Sequence, residues 1–151
     1  MASTGLTDSE MRAWQALLHA HHDVIGRLDR ELRDEHGLPM ASYDVLLRLA
    51  RAPDRALRMS DLAERVLRSP SGLTRLVDRL VAKGLVERRP DPDDARGTLA
   101  VLTSQGSRVL RAAARTHLRG IREHFTGRLD EGQLESVASA LETITGPHVP
   151  H

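Results

Sequence analysis

Apolar residues recur at helical spacing along most of the chain. Trp14, Leu18, His21, Ile25, Leu28 and Leu32 follow one another at intervals of 4, 3, 4, 3 and 4 residues. That is an a/d-like seam of the kind that meets a partner helix. It predicts a long helix over 7–36, capped by Thr7 or Asp8, with Glu10 in its first turn and Gly37 and Pro39 stopping it. A second helix, from Tyr43 to about Ala52, is expected behind a Ser42 cap, with Val45, Leu46 and Leu49 inward. Leu57–Met59 is short and extended; Ser60 then caps a helix over Asp61–Leu67 that is buried through Leu62, Ala63 and Val66.

The best-marked element comes next. Ser69 is a favourable N-cap, Pro70 falls at the first helical position, and Gly84 follows Lys83 where a left-handed residue ends a helix. Between them Leu73, Leu76, Val77 and Leu80 share one face. At 100° per residue the opposite face carries Ser71, Arg75 and Asp78, flanked by Thr74 and Arg79. Past Gly84 the period shortens. Leu85–Arg89 and Thr98–Leu102 are β-capable runs joined by a turn-rich, charged segment, Pro90–Gly97. Thr103 caps a further helix, expected to bend near Gly106 and to run to about Phe125. A last helix spans Glu131–Ile144 with Leu134, Val137, Leu141 and Ile144, and Gly146–His151 reads as a frayed tail.

Composition narrows what such a chain can do. The 151 residues carry 22 basic and 21 acidic side chains, a net of +1, so no global charge points to nucleic acid. Arg68–Arg89 nevertheless holds six bases against two acids, a local net of +4. Twenty-one of the bases are arginine and one, Lys83, is lysine. Cysteine is absent, which excludes disulfides, thiolate metal sites and thiol nucleophiles. No basic stretch followed by an apolar run opens the chain, and no apolar run is long enough to span a bilayer, so a cytoplasmic location is expected. No nucleophile–base pair, paired-carboxylate motif or glycine-rich phosphate loop is visible. An enzyme is not expected, nor a cofactor.

Helix, turn, capped helix and hairpin together spell a winged helix-turn-helix. The expected fold is mainly α with a small β-wing, one domain over 1–151. Its DNA-binding core covers about 42–103, flanked by dimerisation helices at about 6–36 and 104–145. A helix fixed through one face presents the other to the major groove, where base edges differ. Ser71, Thr74, Arg75 and Arg79 are the expected contacts there; Ser69 and the helix N-terminus suit a phosphate, and Arg96 at the hairpin tip suits the minor groove. Asp78 is expected to pair with Arg75 or to constrain Arg79. Asp93 is expected to point to water.

The run SDLAERVLRSPSGLTRLVDRLVAKGLVERRPDPDDARGTLAVLTSQG, Ser60–Gly106, resembles the DNA-binding core of the multiple antibiotic resistance regulator (MarR) family. The likeness includes Asp91-Pro92, Asp94, Arg96, then Leu102-Thr103 and Gly106, and the flanking helices agree in number and length. The resemblance implies a homodimeric repressor or activator on a palindromic operator, responsive to a small, often aromatic and anionic ligand. It also implies that Asp94 braces the wing while Arg96 enters the minor groove. Ala95 departs from the pattern, since many members carry a second arginine there.

One winged helix reads only a half-site, which independently favours a two-fold dimer; a monomeric helical core is the alternative use of the terminal stripes. In the family, ligands sit between the first, second and fifth helices. Trp14, His21, His22, Tyr43 and His117 are the residues expected to line such a pocket, or else to be partly buried residues satisfied by neighbours. A metal site from His19, His22 and His117 is conceivable but has no compact motif behind it. The competing functional class is a winged module used only for protein assembly, without DNA.

Overall fold

The computed structural model describes residues 5–66 and 69–146. Among them are six α-helices and one three-stranded antiparallel sheet. Helix α1 (Asp8–His36) begins with a reciprocal cap, in which Thr7 Oγ1 accepts from the Glu10 N–H and Glu10 accepts from the Thr7 N–H. Gly37, at φ 60°, closes it. Its seam divides along its length. Leu28 and Leu32 are buried, whereas Trp14, Leu18 and Ile25 are 53%, 46% and 40% exposed.

Helix α2 (Met40–Arg51) starts three residues earlier than the Ser42 cap predicts. Pro39 takes the cap position with its fixed φ, and Asp29 of α1 accepts the Met40 N–H at 2.8 Å, so the orphan donor is met from another helix. Ser42 is buried inside the helix instead. Strand β1 (Ala56–Arg58) leads directly into α3 (Met59–Arg65), whose N-cap is Arg58; Ser60 does not cap it. Val66 is half-buried, while Leu67, expected to end this helix, lies outside the described residues together with Arg68.

Helix α4 (Pro70–Ala82) follows expectation closely. Ser69 Oγ accepts from the Gly72 N–H, Pro70 sits at the first position, and Leu73, Leu76, Val77 and Leu80 are buried. Gly84 has φ 72°. The hairpin is longer than its β-capable runs suggest: β2 (Val86–Asp91) and β3 (Asp94–Leu102) extend through most of the charged segment. Their register is regular from Val86↔Leu102 to Pro90↔Thr98 and then jumps to Asp91↔Asp94. Ala95, Arg96 and Gly97 are thereby left on β3 as a bulge with no partner opposite. Strand β3 is central, with β1 on its other side in the register Leu57↔Ala100.

Helix α5 (Ser104–His124), capped by Thr103, does not bend at Gly106. Gly106 is buried, and a Cβ there would lie 2.1 Å from the Leu85 carbonyl oxygen. The glycine allows backbone contact between the helix start and the wing base rather than interrupting the helix. Helix α6 (Glu131–Thr145) carries a Asp130/Gln133 reciprocal cap and buries no residue. Gly146 ends it, and 147–151 lie outside the described residues.

One apolar cluster joins residues from α1 to α5 and all three strands, with Leu32, Leu46, Leu49, Leu62, Leu76 and Leu80 nearly inaccessible. Part of the terminal helices, expected to serve dimerisation, belongs to this core: Leu32 of α1, and Leu110 and Ala113 of α5; Leu28 of α1 is buried as well. No helix among the described residues is long and apolar enough to cross a membrane.

Candidate nucleic-acid interface

Two elements frame one hollow on the surface. Thr74 and Asp78 of α4 line one side, Asp94, Arg96 and Gly97 of the wing line the other, and Arg58 and Arg88 lie between them. The core-facing side of α4 leaves Ser71, Thr74, Arg75 and Arg79 exposed, as expected. Ser71 Oγ lies 3.4 Å from Ser69 Oγ, and the Thr74 hydroxyl donates to the Pro70 carbonyl at 2.9 Å.

The basic segment looks different once its partners are known. Arg88 pairs with Asp78 at 2.7 Å and also donates to the Thr74 carbonyl at 3.3 Å. Arg89 pairs with Glu87, and Lys83 donates to the Gly37 carbonyl at 2.8 Å. Arg68 lies outside the described residues. Arg75 and Arg79 therefore remain as the bases of this stretch with no hydrogen-bond or ion-pair partner among the described residues. Of the two expected roles for Asp78, pairing with Arg75 is not what it does; it reaches across to β2 and ties α4 to the wing strand.

The wing is fixed at its tip. Asp94 Oδ1 accepts from the Arg96 N–H at 2.9 Å, which holds the bulge backbone but leaves the Arg96 guanidinium without a partner among the described residues. Asp91 makes the deeper anchor. Its side chain is 2% exposed, Oδ1 accepts from the Asp93 N–H at 2.9 Å, and Oδ2 lies 2.6 Å from Arg58 Nε. That last contact is an ion pair whose alignment falls short of a hydrogen bond. Gly97, the last residue of the bulge, lies against Asp91; a Cβ there would sit 3.1 Å from Asp91 Cβ. Asp93 is 82% exposed and faces water, as expected. Sequence reasoning missed Arg58, Asp91 and Arg88 as the wing's supports. A lone arginine at the end of a three-residue strand gives no pattern to find it by, since its partner is 33 residues away.

The residues expected to form an effector pocket do not come together within one chain. Tyr43 and His117 do meet, with ring centroids 4.8 Å apart and planes tilted by 44°. Burial pushes the Tyr43 hydroxyl up and the His117 imidazolium down, the latter opposed by the charge of Glu31. Trp14, His21 and His22 are exposed on the other half of α1. Glu31, whose charge acts on His117, lies 17 positions beyond Trp14, about 25 Å along the helix. His21 instead borders a groove with Leu17, Val24, Phe125, Val137 and Leu141, between α1, the end of α5 and α6. His19, His22 and His117 form no donor cluster among the described residues.

A buttressed helix with free arginines on its outer face, beside a hairpin with an arginine on a bulge, defines a winged-helix DNA-binding protein. The comparisons agree. A profile of the MarR family matches residues 36–97. The chain is 33% identical to AbsC, a MarR family transcriptional regulator from Streptomyces coelicolor, over 95% of this chain and 96% of that one, with a TM-score of 0.88. Sco3205, a MarR family regulator from the same organism solved in complex with DNA, is 34% identical over 95% and 89%, also at 0.88. Multiple antibiotic resistance protein MarR of Escherichia coli (strain K12) is 26% identical over 144 residues, 95% of this chain and 99% of that protein. The chain belongs to the MarR family of DNA-binding transcriptional regulators, which are not enzymes.

Proposed function

We propose that this protein is a homodimeric repressor that binds a palindromic operator and is released by a small, aromatic, anionic ligand. The observation that carries the DNA-binding mode is the trio of guanidiniums, Arg75, Arg79 and Arg96, left without partners while the neighbouring bases are engaged within the chain. Arginines at the helix face suit bidentate contact with guanine, and Arg96 on its bulge suits the narrow groove beside it. Ser69 and Ser71 at the N-terminus of α4 are available to a phosphate. In this reading Asp94 and Asp91 hold the bulge at the height the groove requires.

Dimerisation rests on where apolar surface remains. Among the described residues the large exposed apolar side chains, apart from Val81, lie on α1, α5 and α6 or their flanks, including Trp14, Leu118, Phe125, Leu141 and Ile144. A helix such as α6 that buries nothing in its own chain has its apolar face left for a second copy. Two copies related by a two-fold axis would present their α4 helices to successive turns of the groove. Leu118→Glu together with Leu141→Glu should shift sedimentation from dimer to monomer; an unchanged dimer would remove this interface. The effector reading now centres on Tyr43 and His117, an aromatic pair packed between α2 and α5.

The test is binding to a library of genomic fragments followed by sequencing of those retained. An inverted repeat common to the retained fragments is expected, and no enrichment would defeat the proposal. A panel of phenolic acids should contain a compound that raises the melting temperature and releases the retained DNA. If none does either, ligand release is wrong while operator binding stands.

A further inference from the structure

The seam between α1 and α5 holds a second chemical centre, remote in sequence from the DNA-facing residues. His124, the last residue of α5, pairs its Nε2 with Glu31 Oε1 of α1, and its side chain is 7% exposed. Glu123, the preceding residue, is exposed, and one donor atom from each of the three lies within 4.8 Å of the others. The placement of Glu31 is built into the backbone. A Cβ at Gly120 would come 2.5 Å from Glu31 Oε2 and 2.6 Å from Leu28 Cδ2, so glycine there lets the carboxylate lie against α5. Glu31 Oε2 and His124 Nδ1 are both buried without a hydrogen-bond partner among the described residues. Buried polar atoms are rarely left so, and their clustering in one seam points to a further ligand.

We propose that Glu31, Glu123 and His124 bind a divalent cation of the zinc type. One imidazole and two carboxylates suit a borderline metal, whereas magnesium and calcium favour all-oxygen shells. Tetrahedral zinc with ligands at about 2.0–2.2 Å sets its donors roughly 3.3–3.6 Å apart. The farthest donors must therefore close in by about 1.5 Å at most, a movement the exposed stem of Glu123 supplies, while the direct His124–Glu31 contact opens to admit the ion. Three protein ligands leave a fourth position for water. The bound ion would pin the last turn of α5 to α1 beside the groove lined by Phe125 and Leu141.

The full chain, stripped with a chelator and titrated with zinc chloride in a calorimeter near pH 7, tests this directly. One zinc per chain and a higher melting temperature are expected. Glu123→Gln, at an exposed position that leaves folding intact, and His124→Asn should each weaken binding by roughly 10–100-fold or more. His19→Ala, which breaks the exposed i, i+3 pair with His22, should leave it unchanged. The proposal is overturned if the wild type takes up no zinc. It is equally overturned if either seam variant keeps wild-type affinity, or if His19→Ala abolishes binding.

Discussion

Replacing Arg58 with alanine isolates what holds the wing in place. The Asp91 carboxylate is 2% exposed and faces Arg58 Nε at 2.6 Å, so the substitution leaves a buried charge without its cation. Breaking a fully buried pair costs about 3–5 kcal/mol. Arg58 is itself 47% exposed, so water screens the pair and offers Asp91 partial replacement solvation. Asp91 also keeps the Asp93 N–H. Together these place the expected loss at about 1–3 kcal/mol. For a chain of this size that is roughly 2–4 °C in Tm per kcal/mol, read at one fixed protein concentration, since the dimer proposed above would add to apparent stability. The double variant Arg58→Ala/Asp91→Asn removes the charge along with its partner and should recover part of the loss. Thermal unfolding of the two single variants and the double completes the cycle. The wing's distinct contribution appears in DNA affinity: both Arg58→Ala and Asp91→Asn should weaken it, the latter although the Asp91 side chain is buried. Additive single losses, with no coupling between Arg58 and Asp91, would refute the anchoring argument.

Three further outcomes follow from particular contacts. Gly106→Ala gains helix propensity of about 1 kcal/mol but drives a methyl group into the Leu85 carbonyl. Overpacking costs typically 1–3 kcal/mol, so Tm should fall, and a rise would show the contact to be yielding. Asp78→Ala should leave Arg88 with only the Thr74 carbonyl and so loosen the tie between α4 and β2. Amide hydrogen exchange in β2 should then accelerate, and unchanged protection would deny the tie. Glu35 is held below the usual carboxylate range by its hydrogen bond from the Arg119 guanidinium and then by the Thr116 hydroxyl. A carboxyl lowered in the folded state stabilises the fold above its ordinary value of 4.5, and that contribution is lost as the pH drops through the folded pKa. Glu35→Gln should therefore lose less Tm than the wild type on acidification into that range; an identical acid profile would contradict the assignment.

The elements that announce themselves by local chemistry were legible. The Ser69-Pro70 start of α4, its four-residue apolar face and the Gly37 and Gly84 stops appear where cap and turn rules put them. Where tertiary contact replaces local chemistry, the rules fail. Ser42 and Ser60 have the residue type of a cap, yet Asp29 of α1 serves the start of α2 and α3 grows straight out of β1. Gly106 has the residue type of a break, yet it marks a close approach invisible without the partner backbone. The same limit governs the site. Periodicity selects Arg75 and Arg79 as outward-facing but cannot tell that Arg88, Arg89 and Lys83 are already engaged. Nor does heptad spacing between Trp14 and His21 bring either residue to Tyr43 and His117, because the stripe of α1 serves its own core at one end and open surface at the other.

The central claim is that the unpaired guanidiniums of α4 and the wing carry DNA binding. It is tested most directly by the salt dependence of affinity for a retained genomic fragment, measured for the wild type and for Arg96→Ala. A straight line of log K against log salt is expected, with the variant weaker and its slope shallower by about two for a dimer losing one contact per subunit. An affinity indifferent to salt, or an Arg96→Ala line superimposed on the wild type, would contradict it.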